Sequence, residues 1–124
     1  MAYIIKLDTF KDQRGSLTVL DYIIPFEIKR IFYIYDVDNS VRGGHRHKKT
    51  VQAAICIKGS CVISNNDGEK EEDFLLDNPE KCLILEPKDW HQMKNFTPEA
   101  ILLVLASTKF DPDDYIFNPY PKAN

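Results

Sequence analysis

Apolar residues in this chain come in short runs, several alternating with polar positions, and glycine, proline, asparagine or aspartate closes each run. That is the pattern of strands rather than of helices. It predicts strands over Tyr3–Leu7, Leu17–Ile24, Arg30–Val37, Thr50–Lys58, Cys61–Ser64, Asp73–Leu76, Cys82–Leu85, His91–Phe96 and Ile101–Ala106. Between them lie turn formers: Arg14-Gly15-Ser16, Pro25, Asp38-Asn39-Ser40, Gly59-Ser60, Asn78-Pro79, Pro87 and Pro98. Asn66-Asp67-Gly68 reads as a hairpin turn. The only helical expectation is one turn within Asp111–Phe117. Many short strands without crossover helices predict an all-β, mostly antiparallel sandwich or barrel.

The run from Arg30 to Val37 alternates by period two. One face carries Ile31, Tyr33, Tyr35 and Val37; the other carries Arg30, Phe32, Ile34 and Asp36. Polar ends on both faces suit a small barrel whose interior is a pocket.

At 124 residues the chain fits one domain spanning 1–124, large enough for a core of its own. Its net charge of -3 argues against general attraction to nucleic acid or to an anionic membrane. No apolar run reaches the roughly 20 residues of a membrane span, and the first residues lack the pattern of a signal peptide. The three cysteines, Cys56, Cys61 and Cys82, match neither a zinc ribbon nor a redox pair and read as buried free thiols. A cytoplasmic enzyme or binding domain is the expectation.

The chemistry concentrates in the histidines. His45 and His47 stand in Arg42-Gly43-Gly44-His45-Arg46-His47-Lys48-Lys49, and His91 follows Trp90. Residues two apart on an extended segment share a face, so His45 and His47 project together while Arg46 and Lys48 point the other way. Imidazole titrates near pH 6.5, so a pocketed pair can accept and return a proton at neutral pH. The cations around the pair suit an anionic group such as a diphosphate, or are a solvated strand edge.

Gly43/Gly44, His45, His47, Gln52, Gly59, His91 and Asn95 together resemble the two cupin motifs, which implies a double-stranded β-helix, or jelly-roll, barrel. Most metal cupins place glutamate where this chain has Gln52. Iron, manganese and nickel sites favour a carboxylate beside imidazole, so the expectation is a metal-free pocket without a cofactor. A three-histidine zinc site is the alternative.

Further segments narrow the resemblance: Asp12-Gln13-Arg14-Gly15-Ser16-Leu17, the run from Ile28 to Asp36, Lys58-Gly59-Ser60-Cys61, Trp90-His91-Gln92-Met93 and Asp113-Asp114-Tyr115-Ile116. In order and spacing the chain resembles the cupin sugar 3,4-ketoisomerases that act on dTDP-4-oxo-6-deoxyglucose. The resemblance implies an isomerase moving a ketone from carbon 4 to carbon 3, in biosynthesis of 3-amino-3,6-dideoxy sugars for surface glycans. It implies a homodimer that can exchange an N-terminal strand. By position, His47 would be the base and His45 its assistant. Tyr33, Arg30 and Arg14 would hold sugar or diphosphate, with Arg42, Gln52 and His91 also substrate-binding. Phe117 departs from the family, which commonly has a basic residue there. A nucleotide-sugar epimerase, a metal-dependent cupin dioxygenase and a non-catalytic sugar-binding cupin are the rival readings.

Overall fold

The computed structural model describes residues 1–121. Its strands are β1 (Tyr3–Lys6), β2 (Asp8–Asp12), β3 (Gly15–Val19), β4 (Arg30–Ile34), β5 (Arg42–His47), β6 (Gln52–Lys58), β7 (Cys61–Asn66), β8 (Glu71–Leu76), β9 (Lys81–Leu85), β10 (Trp90–Lys94), β11 (Ile101–Ala106) and β12 (Tyr115–Ile116). A 3-10 turn, Pro112–Asp114, precedes β12. One five-stranded sheet runs β1-β9-β6-β11-β4 and a second runs β12-β5-β10-β7-β8. Every pairing is antiparallel. The all-β, mostly antiparallel expectation holds.

Apolar burial explains this layering. Ala54, Cys56, Ile63, Leu83, Leu85, Met93, Leu102 and Val104 form a core joined by Phe32, Ile34 and Val37. A second cluster covers the other face of the first sheet: Ala53, Ile55, Cys82, Ile84 and Leu105 pack with Leu7, Leu20, Ile23, Ile24 and Phe26. Strands β6 and β9 are therefore buried on both faces, which is why their sequences are nearly continuous apolar runs. All three cysteines are buried free thiols.

The differences from the sequence reading have local causes. The run expected as a strand over Leu17–Ile24 ends at Val19, because residues 20–26 become a cover for the first sheet. Asp8–Asp12, outside the expected strands, pairs with Gly15–Val19 as a hairpin that joins no other strand among the described residues. Strand β4 ends at Ile34 instead of Val37; Asp36 takes a φ of +52°, which turns Val37 into the core rather than onto the face of Tyr33. Arg42–His47 forms a full strand despite its glycines and charges.

Candidate functional site

The site lies between the two sheets, where β4, β5, β6, β10 and β12 converge. Glycine makes it possible. In the register of β5 against β10, His91 faces His45 and Gln92 faces Gly43, so Gly44 is an extra residue, a β-bulge. Gly43 and Gly44 have φ of +83° and +79°. A Cβ on Gly43 would lie 3.0 Å from the His91 carbonyl oxygen. Only glycine allows this approach without strain, and it sets His45 beside His91. Arg46 points outward, its guanidinium 3.9 Å from the Tyr120 ring centroid, and Lys48 and Lys49 are exposed.

The three imidazoles form one cluster. The His45 ring centroid is 5.0 Å from that of His47 and 4.8 Å from that of His91. A cavity of about 290 Å³ opens onto His45 and His91, its lining including Arg30, Phe32, Tyr33, Arg42, Gln52 and Tyr115. His47 is 4% exposed and packs against His45 and Tyr115 of this lining.

Sequence reading missed the partner of His47. Asp114, 3% exposed, places Oδ2 2.8 Å from His47 Nδ1. Its carboxylate also accepts hydrogen bonds from the Thr50 hydroxyl and from the Lys49 backbone N–H. Burial alone would raise the Asp114 pKa, but these bonds outweigh it and leave it below the ordinary value, so the group is an anion. An anion at Nδ1 fixes the proton there and leaves the lone pair on Nε2. The 3-10 turn delivers this carboxylate: Asp111 caps it by accepting from the Asp113 N–H, and β12 then pairs with β5 at Tyr115–His47. The sequence carries Asp113-Asp114 beside a proline, but nothing local ties them to a histidine far earlier in the chain.

The electrostatics keep the cluster neutral. Burial lowers the His47 pKa below 6.5, Asp114 pulls it back part of the way, and Arg30 lowers it further. Burial, then repulsion from His47, lowers His45 to about 4, while its bond to the Gly43 carbonyl opposes this. Burial and the other two imidazoles lower His91 to about 3; its Nδ1 bonds the Asp89 carbonyl oxygen at 3.1 Å. His47 Nε2, His91 Nε2 and Gln52 Oε1 are buried without a partner among the described residues. Buried polar atoms are nearly always satisfied, so two orphans on residues of the cavity lining, with a third on the adjoining His47, mark a place where a ligand supplies the missing bonds.

Other expected residues are less uniform. Arg30 enters the cavity, stacked 4.6 Å from the Phe32 centroid and 5.3 Å from that of Phe110. Gln52 is buried at 3%, His91 at 1%, and Arg42 sits exposed at the cavity edge. Tyr33 differs from expectation: it is 61% exposed, with its ring against Tyr35 on the outer face of the first sheet. Arg14 lies on the β2–β3 hairpin, paired with Asp12 at 2.7 Å, and contacts none of the histidines. Phe117 stacks on Tyr115, the ring centroids 5.9 Å apart.

One ring nitrogen from each of His45, His47 and His91 falls within a 4.8 Å cluster, a donor set able to hold a divalent ion. Three neutral imidazoles fit zinc, which would polarise a carbonyl oxygen. The set lacks the carboxylate that iron or manganese sites favour, and an ion there would take the free lone pair of His47.

Comparison with known proteins agrees with this geometry. The family FdtA, described as WxcM-like, C-terminal, matches residues 1–121. A TDP-4-oxo-6-deoxy-alpha-D-glucose-3,4-oxoisomerase of Aneurinibacillus thermoaerophilus is 39% identical over 116 residues, covering 91% of this chain and 84% of that protein. The TDP-quinovose 3,4-ketoisomerase WlaRB of Campylobacter jejuni superposes with a TM-score of 0.90 at 44% identity, over 94% of this chain and 92% of that one. A mutant of the 3,4-ketoisomerase QdtA from Thermoanaerobacterium thermosaccharolyticum, in complex with TDP-4-keto-6-deoxyglucose, superposes with a TM-score of 0.91 at 39% identity, over 94% and 87%. With the cupin-type barrel, the paired histidines and a match along almost its whole length, the chain belongs to the FdtA family of sugar 3,4-ketoisomerases.

Proposed function

We propose that this protein is a nucleotide-sugar 3,4-ketoisomerase that converts dTDP-4-oxo-6-deoxyglucose into a dTDP-3-oxo-6-deoxyhexose. The observation that carries the reading is His47: a buried imidazole whose Nδ1 is held by an anionic carboxylate, whose Nε2 has no partner among the described residues, and whose ring packs on His45 and Tyr115 of the cavity lining. A neutral imidazole in that tautomer is a general base.

His47 Nε2 takes the proton from carbon 3. The C–H electron pair becomes the C3–C4 double bond, and the carbonyl electrons of carbon 4 move onto its oxygen, giving an enediolate. The proton then returns at carbon 4 as the oxygen on carbon 3 becomes the ketone. The imidazolium formed in between lies against Asp114, a contact that stabilises it. His45 lines the cavity as the assisting group, and Arg30 supplies charge toward the oxygens. Gln52 Oε1 and His91 Nε2 are free to accept from sugar hydroxyls. Arg42 at the cavity edge suits the diphosphate, and the exposed Tyr33 is left the smaller part of a rim contact.

The reading includes a homodimer. Among the described residues the β2–β3 hairpin pairs with no other strand, and it holds Phe10 and Leu17 at 65% and 59% exposure. The outer face of the first sheet presents Ile31, Tyr33 and Tyr35. Two copies exchanging hairpins would cover these apolar side chains and carry Arg14 toward the partner's diphosphate. Residues 1–124 act as one unit in the cytoplasm, on intermediates of 3-amino-3,6-dideoxy sugars for surface glycans. No described helix is long and apolar enough to cross a membrane.

Proton NMR of chelator-treated protein with dTDP-4-oxo-6-deoxyglucose in heavy water tests the activity. A 3-oxo product carrying deuterium at the reacting carbons is expected, with couplings that report the configuration at carbon 4. The absence of both product and exchange would overturn the reading. Sedimentation of wild type beside a variant lacking Phe10 and Leu17 side chains tests the dimer.

A further inference from the structure

Isomerisation moves two protons, and the base accounts for one of them. The proton on carbon 3 travels to carbon 4, while a second must leave the oxygen on carbon 3 and arrive at the oxygen on carbon 4. No electrons enter or leave. A group that both gives and takes a proton must therefore face the two oxygens.

We propose that Tyr115 is that group, an inference that rests on the ketoisomerase reading above. Tyr115 lines the cavity, its ring 4.6 Å from that of His47 and 4.8 Å from that of His45. Arg30 Nη1 donates to the Tyr115 hydroxyl oxygen at 3.4 Å. A hydroxyl that accepts from a guanidinium has its own proton free to donate elsewhere, here into the cavity. The same guanidinium stands ready to offset the charge when that proton is gone.

The cycle closes without another reactant. As the C3–H pair moves toward carbon 4, Tyr115 gives its proton to the developing oxyanion there and becomes a phenolate held by Arg30. When His47 returns its proton to carbon 4, the phenolate takes the proton from the oxygen on carbon 3, and that oxygen becomes the carbonyl. Tyr115 and His47 both end as they began.

The other polar groups of the cavity serve less well. An amide such as Gln52 does not exchange a proton this way. The His91 imidazole already bonds the Asp89 carbonyl, and burial keeps that of His45 neutral, with a single ring proton. Tyr33 has its ring on the outer face.

Tyr115→Phe removes only the hydroxyl, and the test compares two rates in heavy water: deuterium entry at carbon 3 of unreacted substrate, and formation of the 3-oxo product. Without the oxygen-to-oxygen carrier, the intermediate returns to substrate more often than it proceeds. Product formation is expected to fall ~10²-fold or more, and the ratio of exchange to product to rise at least tenfold. Arg30→Gln should shift that ratio the same way by less, so the reading does not depend on one variant. Parallel loss of exchange and product in both variants would overturn the role, since damage to packing slows both alike. Unchanged product formation in Tyr115→Phe would overturn it equally. A wild-type protein showing neither exchange nor product would instead overturn the ketoisomerase reading itself.

Discussion

Asp114→Asn isolates what the carboxylate does, because it keeps the shape and removes the charge. The wild-type carboxylate is acceptor only: Oδ1 takes the Lys49 N–H at 2.9 Å, and Oδ2 takes His47 Nδ1 at 2.8 Å together with the Thr50 hydroxyl. An amide cannot do both jobs. If its oxygen keeps the Lys49 N–H, its NH2 faces Nδ1 and drives the imidazole proton onto Nε2, where the base needs a lone pair. If it flips, donor meets donor at Lys49. Losing a charge-assisted bond costs ~1.5–3 kcal/mol of stability. The wrong tautomer should lower kcat ~10²–10⁴-fold with little change in dTDP affinity. The acid limb gives an independent check. Asp114 raises the His47 pKa, which burial has already put below 6.5. The wild-type limb in kcat/KM should therefore lie below 6.5, and the variant's lower still. A variant with kcat within threefold of wild type, or with its acid limb moved upward, would refute the assignment of Asp114 as the positioning residue of the base.

Other expectations follow from the same cluster. The His91 pKa is lowered to about 3, so the unfolded chain binds a proton below pH 6.5 that the native state refuses. Stability is complete above 6.5 and falls as the pH drops toward 3; at 1.36 kcal/mol per unit this is roughly 3 kcal/mol between pH 7 and pH 4. Urea melts of wild type and His91→Gln at both pH values should differ by about that amount. Added zinc should inhibit by taking the lone pair of His47, with activity restored by chelator. Activity lost on chelation and restored by a divalent ion would favour the metal-dependent rival. Gly43→Ala sets a Cβ 3.0 Å from the His91 carbonyl oxygen at a φ of +83°, a strain of about 1–3 kcal/mol, and should lower kcat along with the melting temperature.

Much of the barrel was legible because burial writes itself into local pattern. Cys82–Leu85 and Ile101–Ala106 are read as strands since their apolar runs face packed layers on both sides. Asp8–Asp12 was not, because its partner is the next segment of the hairpin and no core side chain marks it. Arg42–His47 was hidden for another reason: its glycines, usually breakers, there permit a bulge and a close strand approach. Tyr33 shows the limit of alternation, which separates the two faces of a strand without saying which one looks into the barrel.

The histidines were legible and their controller was not, and the reason is physical. His-x-His is a two-residue repeat that any extended segment turns into a shared face. Asp114 acts through space, reaching His47 across 67 positions only because a capped 3-10 turn hands the chain to β12. That short strand pairs with β5 at both of its residues, Tyr115 with His47 and Ile116 with Arg46. The same strap therefore fixes the tautomer of the base from one side and lays Tyr115 against its ring from the other. Peeling it away would free Asp114 and Tyr115 together, so the base would lose its orientation and its neighbouring hydroxyl in a single event. Substitutions at Pro112 or Asp111 that loosen the turn should accordingly reproduce the kinetic defects of both sites, while leaving the core between the sheets intact.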